Sequence, residues 1–237
     1  MPPPPPRTSS QLWASAPGVA EDPTATVLGS KIVVGMGLSK LAKGWRKGAV
    51  EENAEDQYQL AHCYDEGREG VKRDLVAAAV WYGKAAEQQH AGAQCGLGLC
   101  YANGAGVGQN LELAVTFYRK ATDAGHASAQ SHLASSYATG KGVEQNDALA
   151  VPWLEKGAVN GNARSQHSLG LCYMHGKRGF SKNARRARSF MMAAAAQGHD
   201  AAIEDLKLLN ACESCGAPDA NHTRGGCRSV RGISVVR

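Results

Sequence analysis

One pattern of apolar and polar positions recurs four times between residues 54 and 199. The units span 54–90, 91–126, 127–162 and 163–199, and their lengths of 37, 36, 36 and 37 residues tile the stretch without gaps. The fourth position is always Gln (Gln57, Gln94, Gln130, Gln166) and the seventh always Leu (Leu60, Leu97, Leu133, Leu169). The eleventh is always Tyr (Tyr64, Tyr101, Tyr137, Tyr173). Steps of three and four place these residues on one face of a first helix. Three residues later comes Gly67, Gly104, Gly140 or Gly176, opening a turn.

Beyond the turn stands Asp74, Asn110, Asn146 or Asn183, whose side-chain oxygen suits the N-cap of a second helix. Counted from that cap, the fourth residue is Ala78, Ala114, Ala150 or Ala187. The seventh is Trp81, Phe117, Trp153 or Phe190, and the eighth Tyr82, Tyr118, Leu154 or Met191. Small and large residues thus share one face, as close helix packing requires. The pattern predicts four helix–turn–helix units, with one extra turn residue in the first and fourth. Pro152 lies past the first turn of its helix, so that helix is expected to kink or to begin late. Residues 39–53 read as a further second helix and 200–210 as a further first helix, covering the ends of the array over 39–210.

The glycine-rich stretch from Tyr101 to Asn110 invites a rival reading, since Gly104, Gly106 and Gly108 could cradle a phosphate. Gly108 becomes Arg73, Gln145 or Lys182 in the other units, and the motif recurs four times where one anion site would suffice. The expectation is an interhelical turn.

The motif Ala-x-Ala-Gln-x-x-Leu-Gly-x-x-Tyr-x-x-Gly-x-Gly-Val-x-x-Asn, closing on Tyr-x-Lys-Ala and Ala-Gly-His, resembles the Sel-1-like repeat, a relative of the tetratricopeptide repeat. The resemblance implies an all-α fold, a short right-handed α-solenoid of about four helix-turn-helix repeats with half-repeat caps. It also implies a non-catalytic scaffold or adaptor that gathers proteins or peptides on its concave surface; a hydrolase, proposed for some family members, is the less favoured alternative. Partner contacts are then expected from the sixth and ninth positions of the first helices: Gln59, His62, Gly96, Leu99, His132, Ser135, Ser168 and Leu171.

Composition sets limits without naming a function. Hydrophobic residues at 43% and charged residues at 20% are globular values, and 6% aromatics with abundant Ala and Gly suit thin, close-packed helices. The net charge of +5 is mild and selects no class of partner. No run of about 18 apolar residues occurs, so no membrane span is expected. The N-terminal segment 1–38 opens on a proline run, lacks the apolar core of a signal peptide and reads as disordered, apart from an unassigned apolar stretch at 31–37. PPPPPR is a candidate polyproline ligand, but more simply a flexible tail. The six basic residues of 177–188 read as a solvated helix face, and no nucleic acid is expected as partner.

Cys63, Cys100 and Cys172 share one column, too far apart from unit to unit for disulfides, and Cys95 points elsewhere. All four read as small core or near-core residues of a protein in a reducing compartment, cytoplasmic or nuclear. His90, His126 and His199 end three units and are expected to cap the C-termini of second helices. The tail, 211–237, carries Cys212, Cys215, His222 and Cys227, residue types that can hold zinc in a tetrahedral site. It resembles the start of a MYND-type zinc finger, but Arg224 stands where that finger needs a cysteine and its later ligands are missing. A degenerate finger in a disordered tail is the favoured reading. Zinc binding, with the tail dominating as an interaction module, is the alternative.

Overall fold

The computed structural model of the chain describes residues 39–214, with side chains through residue 209. Residues 1–38, including the stretch at 31–37, lie outside the described residues, as do Cys215, His222 and Cys227. Of Cys212 only the backbone, in the last helix, is described.

Among the described residues there are ten α-helices and no strand. The helices are α1 (Lys40–Val50), α2 (Ala54–Glu66), α3 (Leu75–Glu87), α4 (Ala91–Asn103), α5 (Leu111–Asp123), α6 (Ala127–Thr139), α7 (Asp147–Val159), α8 (Ala163–His175), α9 (Ala184–Ala195) and α10 (Asp200–Ser214). They form two compact bodies, α1–α7 up to Asn160 and α8–α10 from Gly161. Within each body every helix packs against the next in chain order. The expected flanking helices are both present, as α1 and α10.

The glycine turn is structural. Gly104 ends α4 in the left-handed region (φ 69), where a residue without Cβ is unstrained, and its N–H donates to the Cys100 carbonyl. The Ala105 N–H donates to the same carbonyl at 2.9 Å. Asn110 then donates its N–H to the Tyr101 carbonyl at 2.9 Å, while its Oδ1 accepts from the Leu113 N–H at 3.0 Å. Gly106 abuts the preceding repeat so closely that a Cβ would stand 2.0 Å from the Leu75 carbonyl oxygen. The amides of Gly104, Ala105, Asn110 and Leu113 are therefore bonded within the chain. Asp74, Asn146 and Asn183 cap α3, α7 and α9 as expected.

The repeated columns form the core. Leu60, Leu97, Leu133 and Leu169 are at most 3% exposed, and burying each stabilises the fold by about 2 kcal/mol. Ala78, Ala114, Ala150 and Ala187 are equally buried, which lets the paired helices approach closely. Inside two units the column tyrosine stacks on the second-helix aromatic: Tyr101 on Phe117 (centroids 5.7 Å apart) and Tyr173 on Phe190 (5.8 Å). Cys63, Cys95, Cys100 and Cys172 are buried, and none forms a disulfide with another described residue. Cys95 sits with Ala121 and Ala129, apart from the cluster that holds Cys100.

The invariant glutamines are buried hydrogen-bonding posts. The Gln57 carbonyl oxygen accepts from the Gln88 amide at 2.8 Å, that of Gln130 from Asn160 at 2.9 Å, and that of Gln166 from Gln197 at 2.8 Å. Each donor stands just past the second helix of the same repeat, so the amide pair ties the start of a unit to its end. In the second unit that position is Ala124, and Gln94 Oε1 is buried without a partner.

One expectation is narrowed and one is corrected. α7 does not begin late: it runs from the Asn146 cap for 13 residues, as most of the second helices do. Pro152 and Ala148, whose carbonyl loses its helical partner, are both exposed, so water can serve that carbonyl. The histidines cap the other helix end. Nδ1 of His90, His126 and His199 accepts from the N–H of Ala93 (3.1 Å), Ala129 (3.3 Å) and Ala202 (3.3 Å) at the start of the following first helix. Asn162 does the same for α8 through its Oδ1. The carbonyls at the end of the second helices need no imidazole, because the histidine backbone N–H already donates to Ala85, Ala121 or Ala194.

Two outcomes follow from these bonds. Ala124 has the same C-cap conformation as Asn160 (φ −87, ψ 9 against φ −75, ψ 12), so Ala124→Asn supplies the missing donor without moving the backbone. It should raise stability by about 1 kcal/mol in urea unfolding, and only if Gln94 is intact. An accepting Nδ1 carries no proton, and burial, then the charge of His90, pushes the His126 pKa below its ordinary value. The unfolded chain therefore takes up that proton first, so stability is whole above about pH 6.5 and declines as the pH falls through that value. His126→Asn keeps an accepting cap and should flatten this decline, read as urea midpoints at pH 7.5 and pH 5.5.

Candidate partner-binding face

α2 is held at both ends, by Asn53 Oδ1 accepting from the Asp56 N–H at 3.0 Å and by Gly67 at its C-cap. With Gln57, Leu60, Ala61 and Cys63 turned into the core, Tyr58, Gln59 and His62 are left half-buried at its edge. The Gln59 amide donates to Glu55 Oε1 at 2.6 Å, and His62 Nδ1 lies 3.3 Å from Glu66 Oε2. Arg68, just past the helix, pairs with the same Glu66 oxygen. The Gln59 hydrogen bond, then that of His90, holds the Glu55 carboxyl below its ordinary pKa.

These side chains border a pocket of about 220 Å³ lined by Trp45, Tyr58, Gln59, His62, Cys63, Arg68 and Glu69. Trp45 comes from α1, which packs through Ala42 on Cys63 of α2 and on Val71 of the turn after it. Glu69 is the extra residue of the first unit's turn, held in the left-handed region (φ 57), and its carbonyl accepts the Ser39 N–H at 3.0 Å. Burial pushes up the Tyr58 hydroxyl and the Cys63 thiol.

Of the residues expected to touch a partner, Gln59 and His62 come together here. Leu99 on α4 is half-buried and packs on the core, where Gly96 leaves room for the Tyr82 ring: a Cβ would meet it at 2.8 Å. On α6, His132 stacks on Tyr118 with centroids 5.1 Å apart, and Ser135 is half-buried nearby on the same helix. Ser168 and Leu171 are half-buried on α8 in the second body. Trp45, Tyr58, Arg68 and Glu69 were not expected from the repeat columns. The extra turn residue and the tryptophan of the flanking helix are the signals that could have marked the place.

Burial pushes the Cys95 and Cys100 thiols up to about 12, so neither is disposed to act as a nucleophile near neutral pH. Among the described residues no three of His, Cys, Asp and Glu converge as metal ligands. No described helix is long and apolar enough to cross a membrane. Arg186 of the basic segment is occupied with Tyr173, donating to its hydroxyl at 3.0 Å from over the ring.

Capped helix pairs joined by a left-handed glycine turn define a helical repeat protein. The Sel1 repeat model matches residues 54–90, 91–126, 127–162 and 163–199, and the chain belongs to the Sel1 repeat family. Proteins of this kind are generally protein-interaction scaffolds. No curated protein matches the chain. Among solved structures it is similar to a protective antigen of uropathogenic Escherichia coli displaying an SLR fold, with TM-score 0.61 and 33% identity over 70% of this chain and 35% of that one. It is also similar to a Sel1 repeat protein from Oxalobacter formigenes, with TM-score 0.57 and 35% identity over 65% of this chain and 61% of that one. The chain thus spans less than two thirds of the length of either. An immunity protein from Pseudomonas aeruginosa shares the fold at TM-score 0.52 and 20% identity, over 78% of this chain and 70% of that one.

Proposed function

We propose that the chain is a non-catalytic scaffold or adaptor that holds a protein or peptide partner on the face formed by its first helices. The observation that carries this reading is the pocket at α1 and α2, where Gln59 and His62, two residues of the variable columns, stand beside Trp45 and Tyr58. Aromatic side chains in a concave site with a few polar neighbours are what anchors at protein interfaces are made of. Leu99, His132 and Ser135 continue the face along the first body. They differ from unit to unit, while the buried columns beneath them repeat. Membership of the Sel1 family supports the same reading.

A photoreactive phenylalanine analogue placed at Gln59, Leu99 or Ser135, in cells of the source organism, is expected to capture one and the same protein. Placed at Thr116 or Glu155, exposed on second helices, it is expected not to. Equal capture from both sets of positions, or none from the first, overturns the proposal.

A further inference from the structure

The pocket at α1 and α2 has a chemical character that narrows what it can take. Its volume of about 220 Å³ is below that of drug-sized ligand sites and suits one long side chain. Two of its walls are aromatic, Trp45 and Tyr58. Of its two formal charges, that of Arg68 is engaged by Glu66, whereas the Glu69 carboxylate makes no ion pair with any described residue. Glu66 also takes the His62 ring nitrogen, so the rim is a cation and an imidazole gathered on one acid, with a second acid left over.

At the rim two carboxylates, Glu66 and Glu69, stand with the cation of Arg68. The Cys63 thiol is pushed up first by burial and then by Glu69, with Glu66 adding to the effect and Arg68 only partly opposing it. The Tyr58 hydroxyl is pushed up by burial, and Cys95, Glu55 and Glu66 add to that. Glu69 exists only because the first unit carries an added turn residue. The second and third units pass directly from Gly104 and Gly140, through one residue, to Gly106 and Gly142. Arg178 in the longer turn of the fourth unit takes the same left-handed conformation (φ 54), so the conformation belongs to that turn, and in the first unit it sets the Glu69 side chain at the cavity.

We propose that this pocket receives the guanidinium of an arginine presented by the bound protein or peptide, laid against Trp45 and Tyr58 and paired with Glu69. A flat cation gains from an aromatic face and from an unpaired carboxylate at once, and an anion or a neutral apolar group would lose one or both. The proposal rests on the scaffold reading and specifies what the partner must carry.

The test uses the full chain with Nα-acetyl-arginine amide as probe, following the Trp45 indole resonance by NMR. The expected result is a saturable shift of Trp45, with Trp81 and Trp153 unmoved. The uncharged isostere Nα-acetyl-citrulline amide should bind about fivefold more weakly or worse, and Glu69→Gln should weaken the arginine probe by about fivefold. An unchanged urea midpoint would show that Glu69→Gln is folded. Citrulline binding as tightly as arginine, Nα-acetyl-glutamate amide binding more tightly, or indifference to Glu69→Gln would each overturn the assignment. If the arginine probe fails while photocapture from Gln59 and Leu99 succeeds, the scaffold reading stands and only the arginine assignment falls.

Discussion

One backbone hydrogen bond, made four times, sets the geometry of everything else. The N–H of the second-helix cap donates to the carbonyl of the column tyrosine: Asp74 to Tyr64 and Asn110 to Tyr101 at 2.9 Å, Asn146 to Tyr137 and Asn183 to Tyr173 at 2.8 Å. It joins the last turn of one helix to the N-cap of the next. The pair can then meet only through the faces that carry leucine, tyrosine, alanine and the large aromatics. A left-handed glycine on one side and an Asx cap on the other make the turn tight enough for that bond to form. Burial of the apolar columns supplies the stabilisation, and the turn decides which columns meet.

The polar residues of the repeat are placed by the same logic. A buried glutamine would destabilise a helix interface unless its amide were served. In three units it is served by an amide from the far end of the same repeat, so those three repeats close on themselves through a side-chain bond as well as through packing. Histidine or asparagine stands at each junction because both present a lone pair to the next helix's free N–H groups. Imidazole does so only while neutral, which brings proton uptake into the stability of an otherwise apolar assembly.

The pocket falls on the departures from the repeat. The columns that repeat are buried. The residues that border the pocket come from a flanking helix (Trp45), a variable column (Gln59, His62) and an added turn residue (Glu69). Regularity builds a rigid support, and irregular positions on it can be varied without cost to the core.

The amino-acid sequence by itself determined the helices, their pairing, the unit boundaries, the glycine turn and the second-helix caps, because each rests on contacts within about 36 residues that recur in register. It pointed His90, His126 and His199 to the wrong helix end, since an imidazole can serve a free carbonyl or a free N–H, and only the backbone path shows which is in reach. The purpose of the invariant glutamines was equally hidden, because their donors lie 30 or 31 residues away. Only tertiary packing could bring Trp45, Tyr58, Arg68 and Glu69 around one cavity, since that arrangement depends on how α1 lies across α2 and on a turn conformation that no column predicts.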